Sequence, residues 1–289
     1  MRVARTPDEL GPGPRAIAVG TFDGVHLGHR AVVAAAVESG LPATAVTFDP
    51  HPRSVLGPDT VPLLCSLERR LELLEELGVG EALVVPFDRE LAALEPDAFA
   101  ARWLAPLGAA VVAAGADFRF GRGRAGDLEL LRALGYDVRP VALVAGVSSS
   151  RVRELVAAGE VVEAAQLLGR PVEVEGTVVS GDARGAGLGF PTANLAPPEG
   201  VLVPRLGIYA GSALATRAAV SVGTNPTYDV GELRVEAFLL DYEGDLYGRR
   251  LVVELWRRLR DEAAFDSEEA LVAQIAQDVA DTRAATRPV

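Results

Sequence analysis

The chain has 289 residues, with 28 basic against 40 acidic side chains and a formal net charge of −12. At roughly 100–200 residues per domain the length favours two domains, and 49% hydrophobic with 24% charged residues is ordinary globular usage that excludes disorder as the dominant state. The acidic balance excludes a nucleic-acid partner, which needs a net basic footprint for phosphate contacts. Every basic residue is arginine, so neither a Walker-type phosphate loop nor lysine Schiff-base chemistry is open to it. Cys65 is the sole cysteine, which leaves no intramolecular disulfide and no thiolate zinc cluster. Met1–Leu10 lacks an apolar core, and no uninterrupted apolar run reaches about 18 residues, so the expectation is a cytoplasmic protein with no membrane partner.

In chain order, the first half alternates short apolar runs with helical patterns. Strands are expected at Ala16–Val19, Ala43–Phe48, Ala82–Val85, Ala109–Ala114 and Val138–Val141. Helices are expected at Arg30–Glu38, Leu67–Leu77, Pro96–Leu104 and Asp127–Leu134. Strands separated by 10–15-residue helical stretches imply βαβ units and a mostly parallel sheet. Ligands on such sheets sit outside the carboxyl ends of the strands, which directs attention to the loops after Val19, Phe48 and Ala114.

Helices at Ser150–Ala158 and Val161–Leu168 then run into Gly169-Arg170-Pro171, and the pattern changes. Val172–Val179 alternates as a half-buried strand does, and Ile208–Leu214, Ala218–Val222, Arg234–Leu240 and Arg250–Leu255 follow between Gly-, Pro- and Asn-rich turns. Short strands at near-regular spacing indicate an antiparallel barrel or sandwich. A last helix opens at Asp266-Ser267-Glu268-Glu269 and carries Leu271, Ile275 and Val279 at i, i+4, i+8; the tail Thr282–Val289 is expected to fray. The domain boundary falls near Gly169, giving 1–168 and 169–289.

All three histidines lie between residues 26 and 51, two of them in Gly20-Thr21-Phe22-Asp23-Gly24-Val25-His26-Leu27-Gly28-His29. A strand, a Gly-rich turn and a helix start suit phosphate, because the first N–H groups of a helix are unpaired and its dipole is positive there. His26 and His29 on one face of that turn can donate to phosphate oxygens and stabilise charge that builds during attack on an α-phosphorus. At Ser148-Ser149-Ser150-Arg151-Val152-Arg153 consecutive hydroxyls precede a helix, and Arg153 one turn in offers a bidentate clamp; a serine-capped helix with a surface arginine is the plainer alternative.

The pairing of His26-Leu27-Gly28-His29 with a late Ser-Ser-x-x-x-Arg resembles the nucleotidyltransferases that attack an ATP α-phosphate and release pyrophosphate. With Thr47-Phe48-Asp49-Pro50-His51-Pro52-Arg53 and Gly115–Arg124, the chain looks like the FAD synthetase module of bacterial bifunctional riboflavin kinase/FMN adenylyltransferases, and the resemblance runs from about Ala16 to Ala284. The implied fold is an α/β nucleotidyltransferase domain of Rossmann-like type followed by an antiparallel β-barrel riboflavin kinase domain with a C-terminal helix. By that resemblance His26 and His29, with Gly20, Phe22, Asp23, Gly24 and Gly28, contact the ATP phosphates, and Ser148, Ser149, Ser150 and Arg153 contact them from the opposite side. Asp117 and Phe118 shape the adenine and flavin pocket, and His51 and Arg53 lie at its mouth. Ser150 stands where the family carries Thr, and the stretch from Val141 to Ser148 is short for the family. Arg119, Arg122 and Arg124 either supply local positive charge or form a solvated basic loop.

The most specific string is Gly181-Asp182-Ala183-Arg184-Gly185-Ala186-Gly187-Leu188-Gly189-Phe190-Pro191-Thr192-Ala193-Asn194-Leu195. Gly181, Gly185, Gly187 and Gly189 let backbone approach a phosphate closely, while Thr192 and Asn194 offer the hard oxygens that Mg²⁺ takes beside phosphates and water. Phe190–Asn194 resembles the riboflavin kinase signature, and Gly223-Thr224-Asn225-Pro226-Thr227-Tyr228 with Asp245–Gly248 fits further stretches, which places Asn225 and Pro226 at the flavin. By resemblance Glu236 is the base for the ribityl 5′-hydroxyl, and strand alternation puts Arg234, Glu236 and Phe238 on one face, expected to point into the barrel; a solvent-facing strand carboxylate is the alternative. Trp256, Arg257 and the helix from Ser267 resemble isoalloxazine-side elements. Riboflavin, FMN and ATP are thus the expected small-molecule partners, with Mg²⁺ as cofactor. A flavin-binding protein with an adenylyltransferase of other specificity, or with no turnover, is the alternative.

Overall fold

Apolar runs without alternation need cover on both faces, and the first half of the chain supplies it. The computed structural model describes residues 1–57, 60–181, 190–224 and 233–289. Strands β1 (Arg2–Ala4), β2 (Arg15–Val19), β3 (Ala43–Asp49), β4 (Glu81–Pro86), β5 (Ala109–Gly115) and β6 (Asp137–Val141) form one sheet in the order β1-β4-β3-β2-β5-β6, with every neighbouring pair parallel. Helices α1 (Leu27–Val37) and α3 (Leu67–Glu76) cover one face through Val32, Val33, Leu73 and Leu74. The other face packs on Phe99, Trp103, Leu104 and Leu131, carried by α5 (Pro96–Phe99), its π-helical continuation Ala100–Leu104 and α6 (Leu128–Ala133). Two short helices, α2 (Pro52–Leu56) and α4 (Arg89–Ala92), sit in the loops after β3 and β4. Strand order turns back at β2, with β3 on one side and β5 on the other, so the crevice at its carboxyl end is where a ligand fits. The three-residue edge strand β1 is too short to show a period in the sequence.

The chain divides into two compact units, Met1–Ser149 and Ser150–Val289. The division comes earlier than the boundary read near Gly169, because α8 (Val161–Leu168), which follows α7 (Ser149–Ala158), packs against the strands of the second unit. That unit is a closed barrel in the order β10-β11-β8-β7-β12-β9, made of β7 (Val172–Val179), β8 (Ala193–Ala196), β9 (Gly207–Ala213), β10 (Thr216–Thr224), β11 (Leu233–Leu239) and β12 (Arg250–Arg260). Period-2 alternation fills it: Val174, Val178, Leu195, Val220, Val222, Val235, Ala237 and Val253 are all buried.

The alternation of β11 is as expected, and its facing is the reverse. Val235, Ala237 and Leu239 occupy the interior, so Arg234, Glu236 and Phe238 lie on the outer face, each half-buried. An unpaired carboxylate among these aliphatic side chains would carry a heavy desolvation cost, whereas outside it keeps contact with water. β8 begins within the Gly181–Leu195 motif, where no strand is expected; it lies between β7 and β11 and pairs with both. At Trp256 the register of β12 with β9 shifts, and both Leu255 and Trp256 are buried there.

Helix α9 (Glu268–Ala284) is capped by Ser267, whose hydroxyl accepts from Ala270 N at 3.1 Å. Its apolar stripe Leu271, Ile275 and Val279 is only half-buried, while Asp278 and Thr282 are sealed. Asp278 takes a fork from Arg260 (2.7 Å to Oδ2), and Arg217 donates to the carbonyls of Thr282 and Ala285 at 3.0 and 2.5 Å while stacking on Trp256. Arg287 pairs with Glu254 at 2.8 Å. The tail from Thr282 is therefore tied down where fraying was expected, held by ion pairs and carbonyl bonds that an apolar-periodicity reading does not register.

Candidate active site

In the first unit the chain turns sharply between β2 and α1. Phe22 (φ 51°) and Val25 (φ 40°) both take left-handed backbone, unusual for an aromatic and strained for a β-branched residue, yet both side chains are fully buried and pin the turn. His26 is the N-cap of α1: its Nδ1 accepts from His29 N at 3.2 Å. That bond assigns Nδ1 as acceptor and leaves the Nε2–H of the neutral ring as a donor. The two imidazoles stack at 3.6 Å with 13° between planes, and the edge of Phe22 meets His29 at 5.4 Å. Gly28 makes the stack possible, since a Cβ there would lie 3.2 Å from His26 Cε1.

His26, Gly28 and His29 line a cavity of about 1080 Å³ at the carboxyl ends of β2, β3, β5 and β6, together with Gly20, Phe22, Asp117, Phe118, Ser148 and Ser149. Asp23 and Gly24 are not in its lining. The Asp23 carboxylate is wholly buried, with Oδ1 accepting from Leu64 N at 2.9 Å, and its carbonyl accepts from Ser149 Oγ at 3.1 Å, so this residue ties the turn to the serine segment. Ser150 and Arg153 follow on α7 and belong to the second compact unit. His51 caps α2 through a bond from Arg53 N at 3.1 Å and is buried, while Arg53 itself lines the cavity. Of the loop arginines, Arg119 and Arg124 line it and Arg122 pairs away with Glu95. Arg119 is shared with Asp127 at 2.7 Å, whose carboxyl is held below its usual range by the backbone N–H of Leu130 and by Arg119.

Six of the nine phenylalanines line this cavity, and four of them, Phe48, Phe87, Phe99 and Phe120, are not among the site residues expected from the sequence. Phe87 meets Phe48 edge to face, Phe48 and Phe99 and then Phe99 and Phe120 pack at tilted angles, and Phe120 stacks on Phe118 at 5.6 Å. The usable signal was position, since Phe48 sits near the end of β3 and Phe87 just past the end of β4.

The second constellation lies on the outer face of the barrel. Register places Asn194 opposite Glu236 on one side and Val179 on the other. Thr192, just before β8, donates from Oγ1 to Glu236 Oε2 at 3.2 Å. Phe190 stands edge-on to Phe238 at 5.5 Å, so the expected aromatic wall is present beside the carboxylate. Gly181 faces the Asn194 carboxamide so closely that a Cβ would collide with it. Thr192, Asn194, Glu236 and Gly181 are thus brought together, whereas Gly185, Gly187, Gly189, Asn225 and Pro226 lie outside the described residues. Among those described, no group of three His, Cys, Asp or Glu is arranged to hold a metal, and no helix is long and apolar enough to cross a membrane.

Two family models match the chain. An FAD synthetase family model matches residues 11–152 and a riboflavin kinase model residues 168–286. The chain is 36% identical to the bifunctional riboflavin kinase/FMN adenylyltransferase of Listeria monocytogenes, over 96% of this chain and 95% of that protein. It is 36% identical to the protein of that name in Escherichia coli strain K12, over 96% of each. A crystal structure described as a macrolide-efflux protein from Streptococcus pneumoniae superposes with a TM-score of 0.86 at 32% identity, covering 97% of this chain and 98% of that one. With imidazoles at a helix start in one unit, a Thr–Asn–Glu row on the barrel of the other, and relatives matching across both, the chain belongs to the family of bifunctional riboflavin kinase/FMN adenylyltransferases.

Proposed function

We propose that the chain phosphorylates riboflavin to FMN and then joins FMN to the AMP of a second ATP, giving FAD and pyrophosphate. The kinase is assigned to residues 169–289 and the adenylyltransferase to 1–168. The observation that carries the reading is the stacked His26–His29 pair at the positive end of α1, opening on a cavity with an aromatic wall. A volume of about 1080 Å³ is at the upper end for a single small ligand, as two substrates that must meet require.

In adenylylation an FMN phosphate oxygen attacks the α-phosphorus and the α–β bridging oxygen leaves with pyrophosphate. His26 Nε2–H, His29 and the amides at the start of α1 donate to the oxygens on which charge grows. Ser148 and Ser149 donate from the other rim, with Ser150 and Arg153 following on α7, and Asp117 and Phe118 hold the base and flavin. Asp23 and Gly24 act through the turn they shape. In the kinase half, the Glu236 carboxylate orients the ribityl 5′-hydroxyl and takes its proton as that oxygen attacks the γ-phosphorus, whose bond to the β–γ bridging oxygen breaks as ADP leaves. Thr192 Oγ1 bonds one oxygen of that carboxylate and so fixes its rotamer. The neutral oxygens of Thr192 and Asn194 beside one carboxylate suit Mg²⁺, which when bound neutralises phosphate charge. Gly181, Gly185, Gly187 and Gly189 give backbone amides to the phosphates, and Asn225 and Pro226 contact the flavin. The enzyme works in the cytoplasm.

One incubation with riboflavin, ATP and Mg²⁺, resolved by chromatography, tests the reading. FMN is expected first and FAD after it. Tight flavin binding without turnover, or an adenylylated product other than FAD, would overturn it.

A further inference from the structure

Two arginines are buried among the described residues, and they differ in what surrounds them. Arg15 has a carboxylate, Glu81, at 2.6 Å. Arg70, on α3, is 1% exposed and has none within ion-pairing distance among the described residues. Its Nη1 donates to the Phe48 carbonyl at 3.1 Å and to Thr47 Oγ1 at 3.4 Å, while its Nε has no hydrogen-bond partner. Thr47 Oγ1 in turn donates to the carbonyl of Thr21 at 3.0 Å. Thr21 and Phe48 both line the cavity, so the guanidinium stands directly behind its wall and is tied to the strained turn that carries His26.

A guanidinium keeps its charge in a protein interior, and a sealed charge without a counter-charge weighs against folding unless something offsets it. Within the described fold only two neutral oxygens, those of Phe48 and Thr47, accept from it, and the cavity side of the wall is where an anion comes to rest in the adenylyltransferase reading, on which this inference depends. We propose that Arg70 is a positioning residue for the nucleotide's phosphates: it fixes the Thr21–His26 turn through Thr47 and keeps behind it a positive charge that only the bound anion compensates.

The test uses the full-length protein and reads FAD formation from FMN and ATP under inhibition by either pyrophosphate or adenosine. Arg70→Gln removes the charge and keeps a polar N–H donor, on a side chain that ends where the Arg70 Nε stands, two bonds short of the Nη1 that reaches the Phe48 carbonyl. Half-inhibition by pyrophosphate is expected to need about tenfold more anion, while half-inhibition by neutral adenosine moves by less than about twofold. The melting temperature without ligands is expected to equal or exceed that of the unsubstituted chain, and riboflavin phosphorylation to be unchanged. Should both inhibitors weaken together with a lower melting temperature, or neither change, Arg70 is a structural cation and the proposal is overturned. If Arg70→Gln fails to fold, Arg70→Met carries the same expectations, and failure of both to fold overturns the proposal as well. No FAD from the unsubstituted chain would instead count against the adenylyltransferase reading itself.

Discussion

One imidazole at the start of α1 has two separable tasks, capping the helix and donating to phosphate. The cap is the bond from His29 N to His26 Nδ1, and the donor is the opposite nitrogen. In His26→Ala both disappear, so stability falls by about 1 kcal/mol, as for other lost N-caps, and FAD formation falls by about 10²–10³-fold, as for a lost oxyanion donor. In His26→Asn the carboxamide caps as well as any side chain, so urea unfolding returns to normal while FAD formation stays low. Equal recovery of both would show that the ring only shapes the helix start. This site was legible because its chemistry is local: a Gly-rich turn and His26-Leu27-Gly28-His29 occupy ten consecutive residues. Glu236 was legible as a member of an alternating face but not as an outer one. Alternation fixes a period, while the sign is set by which face the other five strands close around. The phenylalanine wall was illegible for the same kind of reason, since Phe48, Phe87, Phe99 and Phe120 are gathered from a strand end, a helix end and two loops far apart in the chain.

Single elements carry two further expectations. Gly28 lies in the first turn of α1, where alanine favours the helix by up to about 1 kcal/mol. Its Cβ would press on His26 Cε1 and Nδ1 at 3.2 and 3.3 Å, so the stacked ring must move. Gly28→Ala is therefore expected to unfold at equal or higher urea concentration yet to lose FAD formation by about tenfold or more, the cost of a small misplacement at a reacting centre. Unchanged FAD formation would mean that the ring's placement is not critical. In the sheet, Glu81 receives the Arg15 guanidinium and the Thr44 hydroxyl at 3.1 Å, and the Arg15 bond holds its carboxyl below the usual glutamate range against the opposing effect of burial. A carboxyl depressed in the folded state stabilises the protein above its unfolded value of about 4.3 and loses that contribution as pH falls through the folded value. Urea titrations between pH 7 and 3 should show stability of the first unit falling below about pH 4.3, with a shallower fall in Glu81→Gln. Identical acid profiles would assign the loss to other carboxylates. Long periodic elements such as α8 were readable to the residue, whereas the four-residue β8 and the polar anchoring of α9 were not. A strand that short shows no period, and a helix held by Arg260–Asp278 shows its buried face as a charge.

Across the whole molecule, every described residue lining the cavity lies between Val19 and Ser149, and Thr192, Asn194 and Glu236 all belong to the barrel unit. A lesion at His26 or His29 should therefore leave the chemistry at Thr192, Asn194 and Glu236 intact, and the reverse. His29→Ala is expected to convert riboflavin to FMN at the normal rate and to stop there. Glu236→Gln, which keeps the shape of the side chain and removes the base, is expected to lose about 10²–10⁴-fold in riboflavin phosphorylation, yet to adenylylate supplied FMN normally. Mixed in equal amounts with riboflavin and ATP, the two variants should restore FAD, because FMN released by one chain is substrate for the other. FAD should then appear after a lag that shortens as more Glu236→Gln chain is added, since that chain performs the second step. Restoration without a lag would mean that the two chains pass FMN directly within a shared assembly. If each variant keeps its own half-reaction and the mixture still makes no FAD, then FMN never leaves the chain that made it, and independent operation of the two sites fails.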